Sequence, residues 1–547
     1  MPALSEAAAS GREHLAHAHS GPRARRLPAW WPLAALIILA AALRFSTLTH
    51  QSFWYDEAFT PVHVLHASLA ATLRAVVHTE NTPPLWYLIA WADARVFGTG
   101  ELALRLPSAL AGVATVPVAW AIGRELTGRR TTAIAAAALV ASNPLFVWYS
   151  QEARAYELSV LTIALAMLCM LRARGAAAAG QPSGRWLAAF AVSGSLALLT
   201  HYFTAFLLLG MVGLLVWDLV RERSGQAALA GSAGRRHRRA TLSAVGFIAA
   251  VGIALVPLAV AQGGHGAQWI GRWALASRLA AIPQYYLTGY SGAPLGHGIE
   301  LLVALPIILG VVFGLWRVLL PREERGALVA LVIAAAGILT PLALVGFGAD
   351  YLGPRNLVAA MIPITALIAV VVPSQRAGRV GIALAALIAL AFLAISVDVD
   401  LSPRLQRGNW RGLARTLSGG SSDRVITTVH LGSAPLEYYL APLRPLPHDA
   451  SVTVREIDET GYSPLRPGAA RPPAPGFHLR ERRNVDGLLL YRFISSVPRT
   501  VSEATLRSHV ITPTQPEVLV PAHSPVLAGP TRAGAGRAQP APSGKTT

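Results

Sequence analysis

The chain has 547 residues, of which 53% are hydrophobic and 14% charged, and its mean hydropathy is +0.46. A soluble domain normally keeps about a quarter of its residues charged, so this composition excludes a purely soluble enzyme or scaffold and makes the bilayer the main solvent. The formal net charge of +19 is almost wholly arginine, Lys545 being the single lysine, and it sits in short clusters between apolar runs. That is the pattern of positive-inside membrane loops, and it argues against a nucleic-acid-binding face.

Residues 1–27, polar and rich in Gly, His and Arg, read as a disordered cytoplasmic arm. Runs such as Trp31 to Leu43, Thr131 to Val147, Leu158 to Leu171 and Val380 to Ile395 approach the roughly 20 residues that a membrane-crossing helix needs. The first follows Arg23, Arg25 and Arg26 but meets no small-residue cleavage site before His50, so it reads as a retained helix. Basic clusters at Arg129-Arg130, Arg172 to Arg185, Arg221 to Arg239, Arg317 to Arg325 and Arg376 to Arg379 are expected in the cytoplasm. Alternation then places His50 to Thr82, Ser150 to Tyr156, His201 to Thr204, Gln262 to His297 and Gly348 to Asn356 outside. The expected fold is an all-α polytopic membrane domain over residues 28–397, with about 11 transmembrane helices in a range of roughly 9–13. Between Pro83 and Gly123 two helical segments must make one net crossing, and Asp93 and Arg95 mark the first as short or partly inserted. Cys169, alone in an apolar run, reads as a small core hydrophobe.

From Asp398 the sequence turns charged and turn-rich, with β-like runs at Arg424 to Val429 and Leu488 to Phe493 around a helix-like segment. It reads as a small extracytoplasmic α/β domain over residues 398–499, followed by a Pro-, Ala- and Gly-rich tail, 500–547, expected to be disordered.

The first external loop, residues 48–82, opens with Phe53-Trp54-Tyr55-Asp56-Glu57-Ala58. Ionisable groups at a membrane boundary are costly unless solvated or used, and desolvation raises a carboxylate toward the range of a general base. An acid at the start of the amphipathic segment Thr60 to Val77 is the plainer reading, and spacing does not decide between them. The loop closes on His78-Thr79-Glu80-Asn81-Thr82-Pro83-Pro84-Leu85-Trp86-Tyr87, where the proline pair suits the start of a helix. A later turn carries Asn143-Pro144 and Trp148-Tyr149-Ser150-Gln151-Glu152-Ala153-Arg154-Ala155-Tyr156. Glu152 and Arg154 are two apart, so they do not face one another on a helix, and Arg154 is left to meet an anion. His201-Tyr202 adds a titratable group at the same depth. The loop 262–298, with Trp269, Arg272, Trp273 and Tyr285-Tyr286, reads as an interfacial lid. Asp350-Tyr351-Leu352-Gly353-Pro354-Arg355-Asn356 offers an arginine as a helix anchor or a phosphate contact. No Walker loop, dinucleotide glycine fingerprint or His-Glu-x-x-His pattern occurs, so an activated substrate would come from a lipid carrier.

In order, the Trp-Tyr-Asp-Glu-Ala loop, Pro-Pro-Leu-Trp-Tyr, Arg105-Leu106-Pro107-Ser108, the Tyr149 to Tyr156 motif and His201-Tyr202 resemble family 39 glycosyltransferases of the GT-C fold. That group includes protein O-mannosyltransferases and aminoarabinose transferases of lipid A. The resemblance is strong over the first 210 residues, and Asn409-Trp410-Arg411 resembles the soluble portion of bacterial members. It departs at Thr82, where many relatives carry histidine, and at Glu152, where others carry Asp, which leaves the sugar and the acceptor open.

The resemblance implies a multi-pass enzyme of the bacterial plasma membrane, N-terminus cytoplasmic and C-terminal domain outside. It implies inverting transfer of a mannose- or arabinose-like sugar from polyprenyl phosphate to a glycan, lipid or protein acceptor of the cell envelope. Asp56 would be the general base, with Glu57 and Glu152 completing the catalytic set. Arg154, Arg355, His201, Arg272, Glu80 and Tyr87 would bind substrate or phosphate. No cofactor or bound metal is implied, although adjacent carboxylates can recruit a divalent cation. The alternative is a transporter or flippase of lipid-linked sugars, which would carry its ionisable groups near mid-membrane.

Overall fold

The computed structural model describes residues 30–223, 232–264, 267–289, 319–440, 442–462, 470–509 and 516–527, with scattered positions between 304 and 315 and residue 511. The arm expected over residues 1–27 and the part of the 262–298 loop beyond Gly289 lie outside them. The chain has two parts, a helical bundle and a C-terminal sheet domain.

In the bundle, α1 (Trp31–Phe45) leads to a loop holding α2 (Tyr55–Phe59), a π turn (Thr60–Val64) and α3 (Leu69–Thr79). The Ser68 hydroxyl starts α3 by accepting the Ala71 amide at 3.1 Å. Then come α4 (Leu85–Phe97), α5 (Glu101–Thr127), α6 (Arg130–Ser142), α7 (Pro144–Ser150), α8 (Tyr156–Ala178), α9 (Gly184–Thr200), α10 (Thr204–Arg223) and α11 (Ser232–Gln262). After a 3-10 turn (Ala267–Arg272) follow α12 (Leu275–Thr288), α13 (Pro321–Gly346), a second 3-10 turn (Pro354–Ala360), α14 (Met361–Val371) and α15 (Gly378–Leu401).

Among the described residues, seven helical segments are long and apolar enough to cross a bilayer. The bent pair α6 and α7 makes an eighth, and α1 and α9 are shorter apolar helices. The awkward segment of the sequence resolves here. With 13 residues, α4 is about 20 Å long and too short for a core of about 30 Å, whereas the 27 residues of α5 suffice, so the pair makes one crossing.

Asn143-Pro144 bends the α6–α7 pair by 54°. Pro144 has no amide to give the Val140 carbonyl, and the Leu145 amide is taken by the Asn143 side chain at 3.0 Å. The orphaned carbonyls of Val140 and Ala141 accept instead from the Arg44 guanidinium at 3.1 and 3.0 Å. Arg44 is fully buried and also donates to the Ser150 hydroxyl at 3.0 Å, so one arginine of α1 holds the break that aims the Glu152 turn.

Small residues let helices close up. A Cβ on Gly123 would lie 2.8 Å from the Ala133 Cα, and one on Gly326 would lie 2.6 Å from the Leu126 carbonyl. Gly123→Val is therefore expected to destabilise by about 1–3 kcal/mol, read as a lower apparent Tm in detergent, while valine at the open Gly175 leaves it nearly unchanged.

Three of the basic loops gather at one end of the bundle. Arg129 pairs with Glu323 at 2.7 Å and donates to the Pro373 carbonyl at 2.8 Å, and the Gln375 amide also reaches Glu323. The turns at 150–156 and 348–356 meet the first loop at the other end, and His201 of the 201–204 turn packs against Tyr156 there.

At that other end sits the sheet domain. After α16 (Trp410–Ser418) come β1 (Arg424–Thr428), α17 (Ser433–Leu440), β2 (Leu443–Pro445), β3 (Ser451–Tyr462), β4 (His478–Val485), β5 (Leu488–Ser502), α18 (Glu503–Ser508), β6 (Glu517–Pro521) and β7 (Val526–Leu527). The order is β2-β6-β1-β3-β5-β4 with β7 also on β3, and β1 runs parallel to β3 across the α17 crossover. Val425 and Ile426 of the central strand pack into apolar clusters on opposite faces, and the second cluster includes Trp54 of the first loop. The tail boundary expected at residue 500 is corrected: β6 pairs with both β1 and β2, and its Val518, Leu519 and Val520 are buried. The apolar run supplies a core strand despite its flanking prolines. Residues 528–547 lie outside the described residues.

Candidate active site

Successive residues on a helix point about 100° apart, and at the start of α2 this separates the two adjacent acids. Glu57 turns inward and is fully buried. Its carboxylate takes a two-pronged bond from Arg105, Nε and Nη2 each at 2.7 Å, and the Ala153 amide at 2.8 Å. Arg105 spends its remaining donors on the carbonyls of Leu48, Gln51 and Ser52, so this pair staples the first loop to α5. Burial opposes charge on Glu57, but Arg105, helped by Arg407 and the Ala153 amide, outweighs it and holds the carboxyl below its usual range.

Asp56 faces the other way and accepts Arg355 Nη1 at 2.9 Å. Arg154 sits beside it, donating to the Asp56 carbonyl at 3.4 Å and to Glu80 at 3.2 Å. Glu80 also accepts the Tyr87 hydroxyl at 2.5 Å, and that hydroxyl is 3.1 Å from the Thr82 hydroxyl. Glu152 receives Arg407 Nη2 at 2.5 Å. Four carboxylates thus face four arginines: Asp56 with Arg355, Glu57 with Arg105, Glu80 with Arg154, and Glu152 with Arg407.

Trp54, Trp148, Tyr149, Glu152, Tyr156 and Arg355 line a narrow recess that is closed down to less than the width of a water molecule. It offers aromatic faces, one cation and a carboxyl that is 1% exposed. Burial pushes Glu152 up to about 7, with Arg407 pulling the other way. The buried His201 ring lies 5.8 Å from that of Tyr156, and burial together with Arg154 and Arg355 holds it down to about 4, so it is neutral near pH 7. Among the described residues no group of three or more His, Cys, Asp or Glu side chains is arranged to hold a metal ion.

Residues 81–232 match the model of a family described as dolichyl-phosphate-mannose-protein mannosyltransferase. The chain superposes on ArnT from Cupriavidus metallidurans, solved bound to undecaprenyl phosphate, with a TM-score of 0.50 and 14% identity over 85% of this chain and 98% of that one. The chain has an ArnT-like GT-C fold. The resemblance to family 39 read from the motifs is borne out. ArnT in its apo state matches with a TM-score of 0.47 at 13% identity, covering 84% of this chain and 97% of that one. The archaeal oligosaccharyltransferase AglB from Archaeoglobus fulgidus, in complex with an inhibitory peptide and a dolichol-phosphate, matches at 0.41 and 13%, covering 75% and 59%. No curated protein matches by sequence.

Within this GT-C bundle the structure draws together Asp56, Glu80, Tyr87, Glu152, Arg154, His201 and Arg355, seven residues that the sequence reading singled out. Two others lie apart from this cluster. Glu57 faces the core, where both its oxygens accept from Arg105. Arg272 is exposed at the end of its 3-10 turn and pairs with no site residue among the described residues. The lid arginine that is engaged is Arg278, which binds Asp350 at 2.6 and 2.8 Å and the Leu352 carbonyl at 3.0 Å, tying α12 to the loop that carries Arg355. Arg407 was missed. It lies two residues before the Asn-Trp-Arg motif, yet its side chain reaches the membrane domain.

Proposed function

We propose that the protein transfers a sugar from a polyprenyl-phosphate donor to a cell-envelope acceptor, with inversion, on the extracytoplasmic side of the membrane. The observation that carries this reading is the pairing of Asp56 with Arg355 at the rim of an aromatic recess, on the end of the bundle opposite the basic loops. A donor phosphate competes with Asp56 for Arg355 and draws on Arg154 beside it, the planar fork of arginine being well shaped for phosphate oxygens. Asp56 is thereby released to take the proton of an acceptor hydroxyl or amine as its oxygen or nitrogen attacks the anomeric carbon. The bond to phosphate breaks as the new bond forms, and the leaving phosphate needs cations and hydrogen bonds more than a general acid. A mannose-like or arabinose-like donor is carried over from the family resemblance.

The transporter reading fits the site less well. Its acids lie on α2 and in turns at one end of the bundle, and each is matched by an arginine. The test incubates purified protein in nanodiscs with a panel of radiolabelled polyprenyl-phosphate sugars. Consumption of one donor is expected; movement of intact lipid-linked sugar across liposomes without consumption of any donor would replace the transferase reading with a flippase.

A further inference from the structure

Arg407 belongs to the strap that joins α15 to the sheet domain, and that strap is pinned to the membrane domain's first loop. The Ser52 hydroxyl donates to the Gly408 carbonyl at 3.2 Å and accepts the Trp410 amide at 3.0 Å, while the Arg407 amide reaches the Gln51 side chain at 3.3 Å. Gly408 has no room for a side chain, since a Cβ there would lie 2.8 Å from Leu488 and 2.9 Å from Tyr462 of the sheet domain. The strap therefore has one seat. From it the Arg407 guanidinium enters between two indole rings, 4.2 Å from the Trp148 centroid and 5.2 Å from that of Trp54, and meets Glu152 at 2.5 Å.

The bond occupies Oε2 of Glu152 only. Oε1 is buried without a hydrogen-bond partner among the described residues, in a side chain that lines the recess. An unsatisfied buried carboxyl oxygen is costly and marks a place where a hydroxyl or amine donor belongs. Resting on the transferase reading, we infer that Arg407 is a positioning residue: the sheet domain's strap completes the active site by holding one oxygen of Glu152, favouring its charged form, and leaving the second oxygen for substrate.

The groups facing Glu152 are Arg407 from the strap, Asp56 and Glu57 from α2, Arg154 from its own turn, Tyr156 from α8 and Arg355 from the second 3-10 turn. Two of the cations, Arg154 and Arg355, already answer Glu80 and Asp56. Arg407 is the one whose hydrogen bond goes to Glu152, and it also stands 3.8 Å from the already paired Glu57. Removing it leaves a buried carboxyl beside two other acids, which shifts the charge state as well as the geometry.

The experiment compares wild type with Arg407→Gln, Arg407→Lys and Glu152→Gln in two readouts. The first is the apparent Tm difference between each protein and its Glu152→Gln counterpart from pH 5.5 to 9, which needs no activity. Arg407→Gln is expected to move the titration seen in this difference upward by about 1–2 pH units, because an opposite charge at hydrogen-bond distance is lost. Arg407→Lys should hold it near the wild-type position. The second readout is donor turnover against pH: the acid limb should move upward with Arg407→Gln, return with Arg407→Lys and vanish with Glu152→Gln. An equal loss of turnover at every pH, with no shift in the Tm titration, would mean that Arg407 serves only as a structural pin and would overturn the inference. If wild type consumes no donor, the transferase reading fails and the inference fails with it as a statement about catalysis, while the Tm titration still reports separately whether Arg407 sets the charge of Glu152.

Discussion

Asp56→Asn is expected to reduce sugar transfer by at least about 100-fold, within the range of about 10²–10⁴ that a general base contributes. The loss should fall on kcat with little change in donor KM. Asparagine keeps an oxygen that can accept from Arg355, so the cation stays in place to meet phosphate, and only the ability to take a proton disappears. Stability should hardly change. The Asp56–Arg355 pair is 17% and 21% exposed, and the variant loses a charge while keeping the hydrogen bond and the shape of the side chain. Transfer by the folded Asn variant at more than a tenth of the wild-type rate would remove Asp56 as the base and shift attention to Glu152, whose elevated pKa is suited to proton exchange near neutrality. Glu152→Gln with intact turnover, alongside an inactive Asp56→Asn, would assign the proton to Asp56 alone.

The parts of this arrangement that were legible in the sequence are those written in local chemistry. Arginine clusters marked loops that gather at one end of the bundle, and Asn143-Pro144 marked the break that Arg44 holds. The order of the Asp56, Glu80, Glu152 and His201 motifs named most of the residues that meet. What stayed hidden depends on pairings between residues far apart in the chain. Asp56 and Glu57 are neighbours with the same charge, and only the rotation of a helical turn sends one to the recess and the other to Arg105. Arg407 carries no local signal, because its partner Glu152 lies 255 positions away. The strand β3 is not among the β-like runs, because its Glu456, Asp458 and Glu459 become compatible with burial only once Arg492 and His509 answer those acids. In the same way β6 looked like part of a Pro-rich tail until β1 and β2 supplied its neighbours.

Arg105→Met is expected to be the most damaging single change to stability outside the catalytic set. Removing one partner of a buried ion pair typically costs about 3–5 kcal/mol, since the remaining charge loses its compensation. Here the loss extends to the Leu48, Gln51 and Ser52 carbonyls, which surrender their donors along with Glu57. Glu57→Gln should cost less, because the amide still accepts from one arm of Arg105, and Arg105→Met with Glu57→Leu should recover part of the loss by removing the orphaned charge. The carboxyl of Glu57 is held below its unfolded value, so its contribution is complete above about pH 5 and is lost as pH falls through the folded value. Apparent Tm in detergent, measured for the two single variants and the double at pH 7, gives the coupling between the two positions. The same proteins separate the two roles an acid next to the base can have. A structural Glu57 predicts that turnover per folded molecule survives Glu57→Gln while Tm falls; a Glu57 that touches substrate predicts the reverse, and that result would return it to the catalytic set beside Asp56.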